Sequence, residues 1–186
     1  FEAMLANPDG VTFTRHQPDG AFDLLRTPDQ KINLAIPELL DALRALPEAQ
    51  AGHTSEEFPF VLSAGERRSF TANTIIRDPA WRKRDPEGAL RLSPADAAGL
   101  GIDSGDRVRV TTPGGTAVAV AEVNETMMDG HVAIPNGLGL GYAPAGGEPE
   151  RTGVAPNELT TTDWRDPIAG TPWHKHVPAR LERVTS

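Results

Sequence analysis

A mainly β fold with short helices, centred on a small barrel, is what the stretch from Ala89 to Gly137 predicts. Three observations carry this expectation. Short runs alternate strictly between apolar and polar residues, glycine- and proline-bearing turns separate them, and one mini-helix is framed by its own stop and start signals. Leu90 and Leu92 alternate as in a half-buried strand. Ser93 is a natural N-cap, Pro94 fits the first helical position and Asp96 completes a weak capping box; Gly101 then stops a helix over 95–100. The tight loop Ile102–Asp106 feeds the alternating strand Arg107–Val110, and Pro113-Gly114-Gly115 turns the chain into a second alternating run, Val118–Val123. A third strand, His131–Ile134, ends at Pro135-Asn136-Gly137. This order of strand, mini-helix, hairpin and strand closes small barrels that carry ligands on their rim loops.

Outside that module the chain divides in two. Phe1 to about Gly52 reads as a lead-in, with short strand character at Ala21–Leu25 and Lys31–Ile36 around a Pro28-Asp29 turn. Pro37 opens a helix over 38–46, whose Leu39, Leu40, Leu43 and Leu46 form an apolar stripe that needs a packing partner, either the barrel or a further domain. Residues 49–57 read as a linker, and the main domain, 58–186, opens on a buried strand at Phe58–Leu62. Leu138–Arg151 is rich in Gly, Pro and Ala and reads as an irregular surface loop. Val154–Trp164 and Asp166–His176 are loop-like, and Val177–Val184 alternates as a final strand.

The chain has 186 residues, 38% of them hydrophobic and 24% charged, as in an ordinary soluble domain. It contains no cysteine, which excludes disulfides, thiolate-held clusters and thiol nucleophiles within this segment and fits a cytoplasmic protein. A net charge of −8 argues against general nucleic-acid binding, and no apolar run is long enough for membrane insertion. The acidity is uneven. Between Gly65 and Arg91, seven basic residues face four acidic ones, a local excess of +3. Such a segment is either a solvated basic face or a site for one anionic ligand.

Four loops hold residue types suited to such a ligand. Leu62-Ser63-Ala64-Gly65-Glu66-Arg67 ends a strand in Ser-x-Gly, where glycine lets an anion approach main-chain N–H groups; Asn73 and Thr74 follow. Asn136 and Gly137 follow another strand. Asn157, in Pro156-Asn157-Glu158-Leu159, offers the paired donor and acceptor that suit a heterocycle. Lys175 lies in the proline-stiffened loop Asp166–His176, before the last strand. Each feature also suits a plain polar turn. His174 and His176 read as exposed loop residues, since no third ligand completes a metal site.

In order and spacing, these fragments resemble the C-terminal molybdopterin-guanine-dinucleotide-binding domain of the molybdopterin oxidoreductases, the formate dehydrogenase, nitrate reductase and dimethyl-sulfoxide reductase-like family. The resemblance runs from Phe58 to Val184. It is carried by Leu62-Ser63-x-Gly65 with Asn73-Thr74, Ser93-Pro94-x-Asp96-Ala97 with Leu100-Gly101-Ile102, Gly105-Asp106-x-Val108, Gly130-x-Val132, Pro135-x-Gly137, Asn157-Glu158-Leu159-Thr160 and Pro167-x-x-Gly170-Thr171-Pro172 with Lys175. The closing Gly-Thr-Pro-x-x-Lys segment looks most like formate dehydrogenase and assimilatory nitrate reductase members. Leu138 and Leu140 depart from the family, which often has aromatic residues after the Pro-x-Gly step.

The resemblance implies a six-stranded double-psi β-barrel, with residues 1–52 as the tail of a preceding domain. It also implies a molybdopterin guanine dinucleotide cofactor, with molybdenum or tungsten, in a full-length parent rather than on this fragment alone. Ser63, Gly65 and Arg67 would lie near the pyrophosphate or guanine with Asn73 and Thr74 beside them. Asn136 and Gly137 would line the next stretch, and Asn157 and Lys175 would approach the pterin. The metal ligand, the substrate site and any iron–sulfur cluster would belong to upstream domains, the fragment's expected partners, so it would have no catalytic residue and no turnover of its own. Two other classes compete: a free-standing barrel serving as an interaction or adaptor module, and a dimeric aspartic hydrolase using Asp103 of Asp103-Ser104-Gly105.

Overall fold

A computed structural model of the chain describes residues 1–15, 17–48, 54–66, 76–82, 85–143 and 147–185. It separates into two compact units, Phe1–Ala49 and Gln50–Ser186.

The first unit contains helix α1 (Glu2–Ala6), a 3-10 turn at Pro18–Leu24 and helix α2 (Pro37–Ala45), which runs on into a 3-10 turn at Leu46–Glu48. The strands expected at Ala21–Leu25 and Lys31–Ile36 are absent. The first lies mostly within the 3-10 turn, and the second has no regular secondary structure and no strand partner among the described residues. Local bonds explain the outcome: Thr27 Oγ1 donates to the Lys31 carbonyl at 2.9 Å and Asp29 Oδ1 accepts from Lys31 N at 3.2 Å, closing a turn with no partner strand to compete. In α2, Pro37 occupies the first turn, and Arg44 pairs with Asp41 at 2.6 Å. Its leucine stripe is open, with Leu39 43% and Leu43 59% exposed.

The second unit is a closed barrel. Its elements are β1 (Phe60–Glu66), β2 (Leu90–Leu92), helix α3 (Pro94–Leu100), β3 (Arg107–Thr112), β4 (Gly115–Val123), β5 (His131–Pro135), the short pair β6 (Gly141–Tyr142) and β7 (Glu150–Arg151), and β8 (Val177–Arg183). The barrel order is β1-β5-β2-β4-β3-β8, with β1–β5 and β2–β4 parallel and the other pairs antiparallel. This is the mainly β, six-stranded barrel the sequence predicts. Alternation sets its inside: Val108 and Val110 are fully buried while Arg107 and Arg109 face out, and Leu62, Leu90, Leu92, Val132 and Ile134 complete the centre of the core.

The mini-helix forms as its caps dictate. Ser93 Oγ accepts from Asp96 N at 3.1 Å and donates to Asp96 Oδ2 at 2.9 Å, and Gly101 closes the helix at φ 63°. Asp96 Oδ2 also accepts from Gly130 N at 2.8 Å, tying the helix to the turn before β5. Ser93→Ala is therefore expected to cost about 1–2 kcal/mol, read as a lower urea midpoint at unchanged m-value.

Leu138–Arg151 departs from the irregular surface loop expected of it. It carries the β6–β7 pair, and Leu138 is buried at 2% exposure. A glycine outside the stretch permits the burial of Leu138: Gly88 lies so near it that an added Cβ would sit 1.7 Å from Leu138 Cδ1.

Strand directions sort the connections into two groups. The C-terminal ends of β1, β3 and β5 lie with the N-terminal ends of β2, β4 and β8 at one end of the barrel. The opposite end holds α3, the 102–106 loop and the 124–130 loop.

Candidate cofactor-binding end of the barrel

The C-terminal ends of β1 and β5 and the loop entering β8 meet at the first of these ends. Gly65 interrupts β1 as a bulge: the β1–β5 register shifts between Ala64 and Glu66, and Gly65 stands at φ 99°, a conformation that favours glycine. The exposed side of the bulge is covered from the 165–176 loop. His174 O accepts from Ala64 N at 2.7 Å, and Lys175 Nζ donates to the Gly65 carbonyl at 3.0 Å. From the other side, Asn136 N donates to the Glu66 carbonyl at 3.0 Å, and the Asn136 carboxamide lies against Gly65, its Nδ2 3.7 Å from where a Cβ would stand. Asn136 Oδ1 accepts from Gly137 N at 2.9 Å. Ser63 occupies the outer face of β1, in register with Ala133.

Asn157 reaches the same end by another route. It lies in the 3-10 turn Pro156–Glu158, which packs on the β3–β4 hairpin: Thr112 Oγ1 donates to the Leu159 carbonyl at 2.8 Å, and the Glu158 carbonyl sits against Gly115. Thus Ser63, Gly65, Asn136, Gly137, Asn157 and Lys175 all belong to one end of the barrel, and the first four and Lys175 adjoin one bulge. Arg67, Asn73 and Thr74 lie outside the described residues. Asp103 belongs to the opposite end. It is exposed, in a turn closed by Asp103 N donating to Asp106 Oδ2 at 2.8 Å. That bond, and next the Arg183 guanidinium, hold the Asp106 carboxyl below the usual carboxylate range.

Three arginines brace the site, none of them singled out by sequence. Arg82, 2% exposed, donates to the carbonyls of Ile76, Arg77 and Pro86 and to Thr152 Oγ1, at 2.6–3.0 Å. Arg151 Nε donates to the Gly139 carbonyl at 2.6 Å and its guanidinium pairs with Glu158. Arg91 bridges Glu66 and Glu122. The bonds of Arg91 and the Arg82–Thr152 bond span long stretches of sequence, while the remaining acceptors of Arg82 and the Gly139 acceptor of Arg151 are nearby main-chain carbonyls, which carry no sequence signature. Asp78 caps the turn at Pro79–Trp81 and accepts from the Tyr142 hydroxyl, a bond that pushes the Tyr142 phenol up.

An open cleft of about 560 Å³ lies along the 166–176 loop, lined by Asp166, Ala169, Thr171, Pro172 and Trp173–His176. Lys175 lines this cleft, and the donors at this end of the barrel are of the kinds that suit a phosphate-bearing heterocycle. The Lys175 ammonium spends one of its three N–H donors on Gly65, and the Ser63 hydroxyl and Asn157 amide hold no side-chain hydrogen bond among the described residues. The adjacent carboxylates Glu66 and Glu158 are each paired with an arginine.

Residues 60–178 match the family described as the Molydopterin dinucleotide binding domain. The chain belongs to this family. Among its relatives, a tetrathionate reductase subunit from Salmonella typhimurium is 31% identical over 139 residues, covering 62% of this chain and 14% of that protein. An NADH-quinone oxidoreductase subunit from the same organism is 38% identical over 68 residues, 37% of this chain and 7% of that one. In fold the chain is similar to part of the solved structure of acetylene hydratase from Pelobacter acetylenicus, which superposes with a TM-score of 0.66 at 22% identity, covering 85% of this chain and 24% of that one. The chain thus spans a small fraction of each relative's length. No described helix is long and apolar enough to cross a membrane.

Proposed function

We propose that residues 58–186 hold the guanine dinucleotide portion of a molybdenum or tungsten pterin cofactor, as the C-terminal part of a larger oxidoreductase of formate dehydrogenase or nitrate reductase type. The single observation that carries this reading is the bulge at Gly65, met from one side by Lys175 and from the other by Asn136. The cofactor, when bound, supplies the electron-transfer chemistry. The protein's share is binding and electrostatics. Lys175 offers charge to a phosphate, Ser63 and the Asn136 carboxamide offer neutral donors, and Asn157 offers the paired donor and acceptor that a purine edge requires. Arg67, Asn73 and Thr74 complete the proposed set. Residues 1–52 form the tail of a preceding domain, and the metal ligand and substrate site belong to that upstream part. Its open leucine stripe supports this assignment.

Guanosine diphosphate (GDP) is the simplest probe. Titrated into the full chain, it is expected to shift the amides of Ser63, Gly65, Asn136, Asn157 and Lys175. Lys175→Ala should weaken its binding about tenfold, the worth of one charge-assisted contact. Amides that stay still at all five positions sink the reading and favour an interaction module.

A further inference from the structure

We propose that Arg91 is a positioning residue of this end of the barrel, and that it masks the charge of Glu66 beside the bulge. The masking role rests on the dinucleotide reading above. Arg91 stands on β2 opposite Ala133 of β5. Its Nη1 donates to Glu66 Oε1 and its Nε to Glu122 Oε1, both at 2.9 Å. β1 and β2 are not neighbours, because β5 runs between them. The guanidinium therefore crosses an intervening strand. Position 133 permits this because it carries only a methyl group: Ala133 shares the outer face with Ser63 and Arg91, yet is 5% exposed. Asn124 Nδ2 donates to the same Glu122 oxygen at 2.9 Å, fixing the far anchor.

Glu66 joins this staple to the site. Its carbonyl accepts from Asn136 N, and it directly follows Gly65, whose carbonyl receives Lys175. A carboxylate one residue from the bulge repels a diphosphate, and Arg91 places a compensating charge on it. Arg91 and Glu66 are 27% and 28% exposed, so solvent screens their charges only in part. Arg91 thus acts on an anionic ligand through Glu66 rather than by touching it.

A staple that merely held the barrel together would treat charged and neutral ligands alike. The test compares GDP with guanosine by amide-shift titration of the full chain, using wild type, Arg91→Gln, Glu66→Gln and the double variant. Arg91→Gln is expected to weaken GDP about five- to tenfold while leaving guanosine within about twofold. Glu66→Gln added to it should restore most of the loss. An equal loss for both ligands, or no rescue, overturns the masking role. Without ligand, Arg91→Gln should raise amide exchange most at Glu66 and Asn136, and unchanged exchange there overturns the positioning role. A wild-type chain that binds neither probe while those amides do respond overturns the dinucleotide reading and the masking role, and supports the positioning role alone.

Discussion

Gly139→Ala is expected to destabilise the barrel unit by about 3–5 kcal/mol, far beyond the usual cost of a glycine replacement. Gly139 stands at φ 74°, and a Cβ there would lie 2.2 Å from the main-chain nitrogen of Ala155. Main chain cannot swing aside as a side-chain tip can. The two segments would have to part, breaking the 2.9 Å bond from Gly139 N to the Thr152 carbonyl. Gly130→Ala is the matched control, with φ 73° and nothing within 4 Å of the added atom. It should cost only the left-handed penalty, about 1–2 kcal/mol. Urea unfolding of both variants separates collision from backbone conformation, and equal losses would discard the collision account.

Arg82→Met should cost about 3 kcal/mol or more, because it strips hydrogen bonds from three carbonyls and a threonine hydroxyl at once. Burial pulls the Arg82 guanidinium below its usual pKa, while Glu87, Asp78 and Asp85 oppose that shift by favouring the charge. The loss should be local first. Amide protection should fall at 76–82 and 85–89 and around Thr152 before the barrel strands respond. A variant as stable and as protected as wild type would show that these bonds exchange for water without cost.

The barrel was legible because its strands obey a two-residue period that needs no knowledge of partners. Val108 and Val110 announce an inward face, and Ser93, Pro94 and Gly101 announce a helix. The lead-in misled for the complementary reason: Lys31–Ile36 has strand-like residues, but a strand is a relation between two segments, and none pairs with it among the described residues. The candidate loops could be picked out by residue type, since Ser-x-Gly, Asn-Gly and an isolated lysine are chemically suggestive. Their meeting could not. Lys175 and Gly65 stand 110 positions apart, and only the strand order brings them together. Arg82 and Arg91 entered the sequence reading only as two of seven basic residues between Gly65 and Arg91, and Arg151 only as the end of a loop, because arginine is ordinarily a surface residue and a main-chain carbonyl partner leaves no mark in a sequence.

The strand order also bears on biogenesis. β1 is made first among the barrel strands, yet its two neighbours are β5 and β8. While the chain is emerging from a ribosome, about seventy residues must follow β1 before either of its edges can be covered, and closure waits for β8. Until then the nascent Phe60–Glu66 segment has apolar residues and two uncovered edges, and a chaperone that shields it during translation should raise the yield of folded protein.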